Sequence, residues 1–366
     1  MLRARPGVER RPDGLEDLMD HLRYPPKPTP GDKVAVLAPS FGGPAYFPAP
    51  YELGLRRLRE EFGLEPVEFP TTRMRDASPK ARAHDIMAAF LDPDIRAVVA
   101  AIGGSDELKV LRHLDPAVLA KHPKPFFGYS DNTNLLHLLW QAGLVGFHGG
   151  AVMVQWGRPG AMHPVTAASL RHALFGSGWR DLVECTHYTD EAQCDWSDPL
   201  TLVEEPTLSP AEPWEWHGPN TVVEGPAWGG CLEIIDYQLR ASRYLSPLGR
   251  YDGAVLFLET SEEMPSAAYV YDVLMGMGER GLLERFAAVL VGRPKASSTE
   301  SRRDAQTKRE YAHAQRDAIV RAVAEYNPAA VIVFNLDIGH TDPQEVIPHG
   351  GDVRVDASAR RITVRD

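Results

Sequence analysis

From Gly31 to about Leu182, short apolar runs alternate with stretches of helical spacing, and no other feature of the sequence restricts the fold as strongly. Lys33-Val34-Ala35-Val36-Leu37-Ala38-Pro39-Ser40 reads as a buried strand closing in a Gly-rich turn, Phe41-Gly42-Gly43. Leu53, Leu55 and Leu58 give the following Tyr51–Phe62 stretch a helical face. A second strand is expected at Leu64–Phe69, a helix over Ser78–Leu91 that stops before Pro93, and a buried strand at Ala97–Ile102 that ends in Gly103-Gly104. A helix through Leu108, Leu111 and Leu114 precedes the next apolar run, Phe126-Phe127. Strands separated by helices and apolar along their whole length imply a parallel sheet covered on both faces. Functional loops in such sheets gather at the carboxyl ends of strands, where Ser40, Gly103-Gly104 and Ser130 all fall.

The segment Pro125-Phe126-Phe127-Gly128-Tyr129-Ser130-Asp131-Asn132 compresses a strand, a sharp turn and a helix start into eight residues. A serine at the tip of such a turn stands beside free backbone N–H groups, which can stabilise an oxyanion. The pattern is that of a nucleophile elbow, with Asn132 in place of the second glycine of G-x-S-x-G. The alternative is that Ser130 merely caps the helix through Leu135, Leu136, Leu138 and Leu139. The Gly104 N–H suits an oxyanion hole better than a phosphate cradle, because Gly103-Gly104-Ser105-Asp106 lacks the lysine and spacing of a P-loop.

A second alternation begins at Ala227: a helix over Leu232–Leu239, a strand over Gly253–Leu258 ending at Glu259, a helix over Ala267–Met277, a strand over Ala287–Arg293, a long helix over Arg302–Tyr326, and a strand over Ala330–Asn335. Asp352–Val355 and Arg361–Val364 read as a small antiparallel pair. Between the two alternations, Val183–Pro226 is rich in Glu, Asp, Pro and Trp with little periodicity, and is expected to be a linker or lid. The expected organisation is an arm over 1–30, an N-terminal α/β domain over 31–182, the linker over 183–226 and a C-terminal α/β domain over 227–366. An activated serine needs a base and a group that orients the base. Glu259 and His340 stand at or just beyond strand ends and are the obvious partners, although an acid beside a helix N-terminus and a turn histidine bonded to Asp342 account for them as simply. His137 and His148 compete as bases, but His137 lies along the helix away from the elbow, and His148 between Phe147 and Gly149 suits a structural hydrogen bond.

A net charge of −11 argues against nucleic-acid binding, which needs clustered basic charge. No apolar run is long enough to span a bilayer. Met1–Pro30 mixes Arg with Asp and Glu and reads as a mobile arm, not a secretory signal. Cys185, Cys194 and Cys231 form no disulfide framework or C-x-x-C pair, which points to the cytoplasm. Scattered histidines give no metal-site spacing, so neither a metal nor any other cofactor is expected.

Taken in order, Gly103-Gly104, Lys124–Asp131, Phe147-His148-Gly149, Val223-Glu224-Gly225 with Gly229-Gly230, Phe257-Leu258-Glu259, Val291-Gly292-Arg293 and Asn335–Pro343 resemble the LD-carboxypeptidase family of serine peptidases. The resemblance runs from Gly31 to the C-terminus. It implies Ser130 as nucleophile, Glu259 as orienting acid, His340 as general base, and an oxyanion hole from the Gly104 and Asp131 N–H groups. It also implies a flavodoxin-like N-terminal domain, a smaller C-terminal α/β domain, a site between them and a homodimer. One branch of the family trims terminal D-alanine from murein tetrapeptides. The other resembles the microcin C immunity peptidase, which cleaves aminoacyl-nucleotide conjugates. The long excursion favours the second, with Trp196, Trp214 and Trp216 as candidate base-stacking residues, or else as packing beneath the loop. Cys231 stands where the family often has Asn, so it joins the candidate substrate contacts with a weaker donor. A non-catalytic binding protein and an acyltransferase on the same scaffold are the remaining alternatives.

Overall fold

The computed structural model describes residues 22–191, 194–298 and 301–366. The first alternation becomes five strands, β1 (Lys33–Leu37), β2 (Glu65–Glu68), β3 (Ile95–Ala100), β4 (Phe126–Gly128) and β5 (Gly146–His148). They lie in the order β2-β1-β3-β4-β5 and all pair in parallel, the flavodoxin-like arrangement. Phe126 and Phe127 show why these runs are apolar without alternation. Phe127 stacks on Phe147 with ring centroids 4.8 Å apart, while Phe126 packs into the cluster of Val98, Leu135 and Leu139 on the other face. Both are fully buried, each stabilising the fold by roughly 1.5–3 kcal/mol.

The sheet continues into the second half. Ile347–His349 pairs antiparallel with β5, through Ile347 opposite His148, and parallel with Val222–Cys231. Val255–Glu259, Ala288–Gly292 and Val331–Leu336 follow in parallel, and Glu215–His217 closes the edge antiparallel. Asp352–Asp356 and Arg361–Arg365 form the expected antiparallel pair, extended by Trp179–Asp181. Among the described residues, no helix is long and apolar enough to cross a membrane.

Two sequence expectations change. Val183–Pro226 is not without regular structure: His187–Tyr188 pairs with Ser209–Pro210, Glu215–His217 joins the large sheet, and the ten-residue strand Val222–Cys231 starts inside it. The arm expected over 1–30 lies partly outside the described residues, and its described end is tied down rather than mobile. Arg23 exchanges backbone hydrogen bonds with Gly143 and Val145, Lys27 Nζ donates to the Gly176 carbonyl at 2.7 Å, and the Tyr24 hydroxyl accepts from the Asp352 N–H at 2.8 Å.

Candidate active site

β4 ends at Gly128, and Ser130 takes a left-handed φ of +61° before the chain enters the helix Thr133–Gln141. A non-glycine residue there costs roughly 1–3 kcal/mol, a strain that persists only where the surroundings impose it. They do so through the next residue. The buried Asp131 carboxylate accepts from Ser40 Oγ, from the Glu107 N–H at 2.9 Å and from Asn134 Nδ2 at 2.9 Å. Asp131 thus ties the elbow to the loops after β1 and β3. Asn132, not Ser130, precedes the helix, and Ser130 makes no capping hydrogen bond among the described residues. Gly103 abuts the serine, since a Cβ there would lie 2.9 Å from Ser130 Cβ and 3.1 Å from its Oγ, while Gly104 faces Ser40 and Phe41. A side chain at Gly103 would collide with the serine itself.

Glu259 ends its strand fully buried, and its Oε2 accepts from His340 Nδ1 at 2.6 Å. Gly339, at φ +88°, allows the turn to cross this carboxylate, since a Cβ there would lie 2.5 Å from Glu259 Oε2. The turn is held from outside by Arg158, whose Nε donates to Asp342 at 2.9 Å and whose Nη1 pairs with Glu205 at 2.8 Å. Thr189 and Asp342 exchange backbone hydrogen bonds of 2.7 and 2.9 Å, clipping the excursion onto the same turn.

Burial alone would raise the Glu259 pKa, but His340 and His148 offset it and hold the carboxyl down at about 2. Burial would likewise lower His340, yet Glu259 and Glu262 offset it and raise the imidazole to about 9. The two shifts agree on a carboxylate–imidazolium pair at rest. His340 Nε2, the nitrogen that would face a serine, lies 3.2 Å from Glu262 Oε2. No hydrogen bond joins Ser130 to His340 among the described residues. The Tyr129 ring nevertheless meets the His340 ring edge-on at 5.0 Å, which brings the elbow and the imidazole together. A base must be unprotonated to act, so kcat/KM should rise with pH through the His340 pKa. Glu262→Gln removes one of the three carboxylates, Glu259, Glu262 and Glu233, that raise it and should move that acidic limb down by roughly one pH unit. A pH–rate profile of the two proteins checks this, and an unmoved limb would remove Glu262 from the site.

His137 is turned away, its Nδ1 on Gln238 at 2.7 Å and its Nε2 on the Gly229 carbonyl at 3.0 Å. His340 lines a cleft of about 760 Å³ with Trp196, Phe47, Met153, Lys295 and Arg302. Trp196 meets Phe47 edge-on at 5.7 Å. Trp214 and Trp216 are elsewhere. Trp214 is buried in the apolar cluster with Leu182 and Val353, and Trp216 lies on the edge strand opposite Val333. Cys231 does not line this cleft but lies beneath the site, in register with Glu259, its Sγ 3.3 Å from Glu233 Oε2. Burial pushes its thiol pKa up. Phe47, Lys295 and Glu262 were not singled out from sequence. Phe47 follows the Gly-rich turn after β1, and that position beyond a strand end was its only signal.

The chain matches the LD-carboxypeptidase N-terminal domain over residues 34–149 and the LD-carboxypeptidase C-terminal domain over residues 224–355. It is 29% identical over 251 residues to a probable murein peptide carboxypeptidase of Bacillus subtilis, covering 67% of each chain. It is 23% identical over 298 residues to the microcin C7 self-immunity protein MccF of Escherichia coli, covering 80% of each. The structure of MccF in complex with glutamyl sulfamoyl guanosine superposes with a TM-score of 0.78 at 21% identity, over 93% of this chain and 98% of that one. That likeness is one of fold.

Proposed function

Because the chain belongs to the LD-carboxypeptidase family, we propose that it is a serine hydrolase that cleaves the amide of an aminoacyl-nucleotide-type conjugate. His340 Nε2, freed from Glu262, takes the proton of Ser130 Oγ as the oxygen attacks the amide carbonyl. Glu259 orients the imidazole and stabilises the imidazolium. The Gly104 and Asp131 N–H groups hold the oxyanion. The imidazolium protonates the leaving nitrogen, the carbonyl stays on Ser130 as an ester, and water, deprotonated by His340, releases the acid. The chemistry is supported by the Glu259–His340 contact of 2.6 Å beside the strained elbow.

The substrate class is supported by one observation: the cleft lined by His340 carries an aromatic pair, Phe47 and Trp196, with Lys295 and Arg302. Aromatic faces stack bases and basic side chains pair with anionic linkers. The sequence likeness to a murein peptide carboxypeptidase favours a second reading, release of D-alanine from a tetrapeptide. Mass spectrometry of the protein with an aminoacyl-sulfamoyl adenosine and a murein tetrapeptide, side by side, separates the two. Release of the amino acid from the first is expected. Trp196→Ala should then raise KM for that substrate by about 5- to 150-fold, the equivalent of a stacked base at roughly 1–3 kcal/mol. Release of D-alanine alone, indifferent to Trp196, would establish the second reading.

The proposal extends to a cytoplasmic homodimer that needs no cofactor. Sparse, unpaired cysteines and the family resemblance support it, and light scattering tests the dimer.

A further inference from the structure

We propose that His148 is a positioning residue for this hydrolysis, fixing the second oxygen of Glu259 so that the carboxylate stays aligned on His340. The inference rests on the roles given above to Glu259 and His340. His148 ends β5, opposite Gly128 of the elbow strand on one side and Ile347 on the other. Its ring is fully buried and held edge-on against Tyr129 at 6.2 Å and Phe257 at 5.1 Å. Its Nε2 lies 3.6 Å from Glu259 Oε1, while His340 takes Oε2. Oε1 is buried and has no other donor among the described residues. The result is a carboxylate between two imidazoles.

A buried carboxylate with a donor on one oxygen only is costly and can swing about its last torsion. Such a swing would turn Oε2 away from His340 Nδ1. An N–H aimed at Oε1 prevents it. At 3.6 Å the contact is longer than a hydrogen bond, and catalytic contacts that are long without substrate commonly tighten in the Michaelis or transition-state complex. The other titratable groups facing His148 are His137, His349 and Tyr129. Burial holds His137 down at about 4 and His349 well below its ordinary value, so both are neutral at working pH. Burial raises the Tyr129 phenol far above it. Glu259 is therefore the carboxylate that His148 faces.

The test compares His148→Phe, His148→Gln and His148→Asn with Ser130→Ala as the reference. Rates are taken per active site titrated with a fluorophosphonate, and the low-field His340 Nδ1 proton is followed by NMR, which needs no turnover. His148→Phe should lower kcat about 10- to 100-fold, the size of one hydrogen bond to a charged group, with KM within about twofold. It should also move the His340 resonance. His148→Gln keeps an N–H at similar reach and should recover most of the rate, while His148→Asn, one bond shorter, should not. Should the Phe protein fail to fold, the Gln and Asn pair still decides. Equal rates for that pair, or wild-type kcat per titrated site in His148→Phe with the resonance unmoved, would overturn the proposal. Full turnover by Ser130→Ala would instead overturn the serine mechanism, and the resonance would still decide the His148 contact.

Discussion

Ser130→Ala is expected to lose roughly 10⁴-fold or more in kcat while remaining folded. The serine hydroxyl makes no hydrogen bond that holds the elbow together among the described residues. That task falls to the Asp131 side chain, anchored by Ser40, the Glu107 N–H and Asn134. Alanine at φ +61° bears the same backbone strain as serine, so the melting temperature should move by only a few degrees. Ser130→Gly should lose activity equally and gain stability, because glycine relieves the strain. The pairing of these variants distinguishes a nucleophile from a structural turn residue. Near-full activity in Ser130→Ala, measured by mass spectrometry of product, would remove Ser130 from the mechanism.

Much of this was legible in the sequence because the first half consists of features with short-range causes. Apolar runs buried on both faces announce parallel strands, and strand–glycine–serine–helix in one segment announces an elbow. The second half was less legible where glycines play against type. Gly229 lies inside a strand, and a Cβ there would lie 1.9 Å from the Phe257 carbonyl oxygen. That closeness to the neighbouring strand is why the residue is glycine; the sequence places the end of the linker at Pro226, which falls inside the strand Val222–Cys231. The tryptophans divide for a different reason. Periodicity cannot tell an indole beside a cleft from one under a loop. The distinction depends on where the fold carries each, so Trp196 reaches Phe47 while Trp214 enters the apolar cluster. Glu262, three residues beyond Glu259, carries no signal of its own in the sequence, and only the fold brings it to His340 Nε2.

Glu259→Gln should lower kcat by about 10⁴-fold, although the two side chains have the same shape. The carboxylate has two tasks that an amide cannot perform. It accepts from His340 Nδ1 and so leaves Nε2 free to take a proton, and its charge stabilises the imidazolium formed in the transition state. An amide can turn its NH₂ toward Nδ1, selecting the wrong tautomer. The pH dependence separates these effects from simple misfolding. His340 is raised to about 9 against burial by Glu259 first, then Glu262 and Glu233, so with Glu259 neutralised its pKa should fall. Residual kcat/KM should therefore reach its plateau at lower pH than in the wild type, even as the plateau collapses. Stability carries the matching sign. A carboxyl at about 2 in the fold and near 4.5 when unfolded stabilises the protein above pH 4.5 and loses that contribution as pH falls towards 2. An imidazole at about 9 in the fold and 6.5 when unfolded contributes below pH 6.5 and loses it as pH rises through 9. Both contributions belong to one ion pair, so Glu259→Gln should flatten the stability profile at both ends. Denaturant titrations from pH 2 to 10 read this directly. An unchanged profile would mean that Glu259 and His340 are not paired, and the mechanism built on them would fall with it.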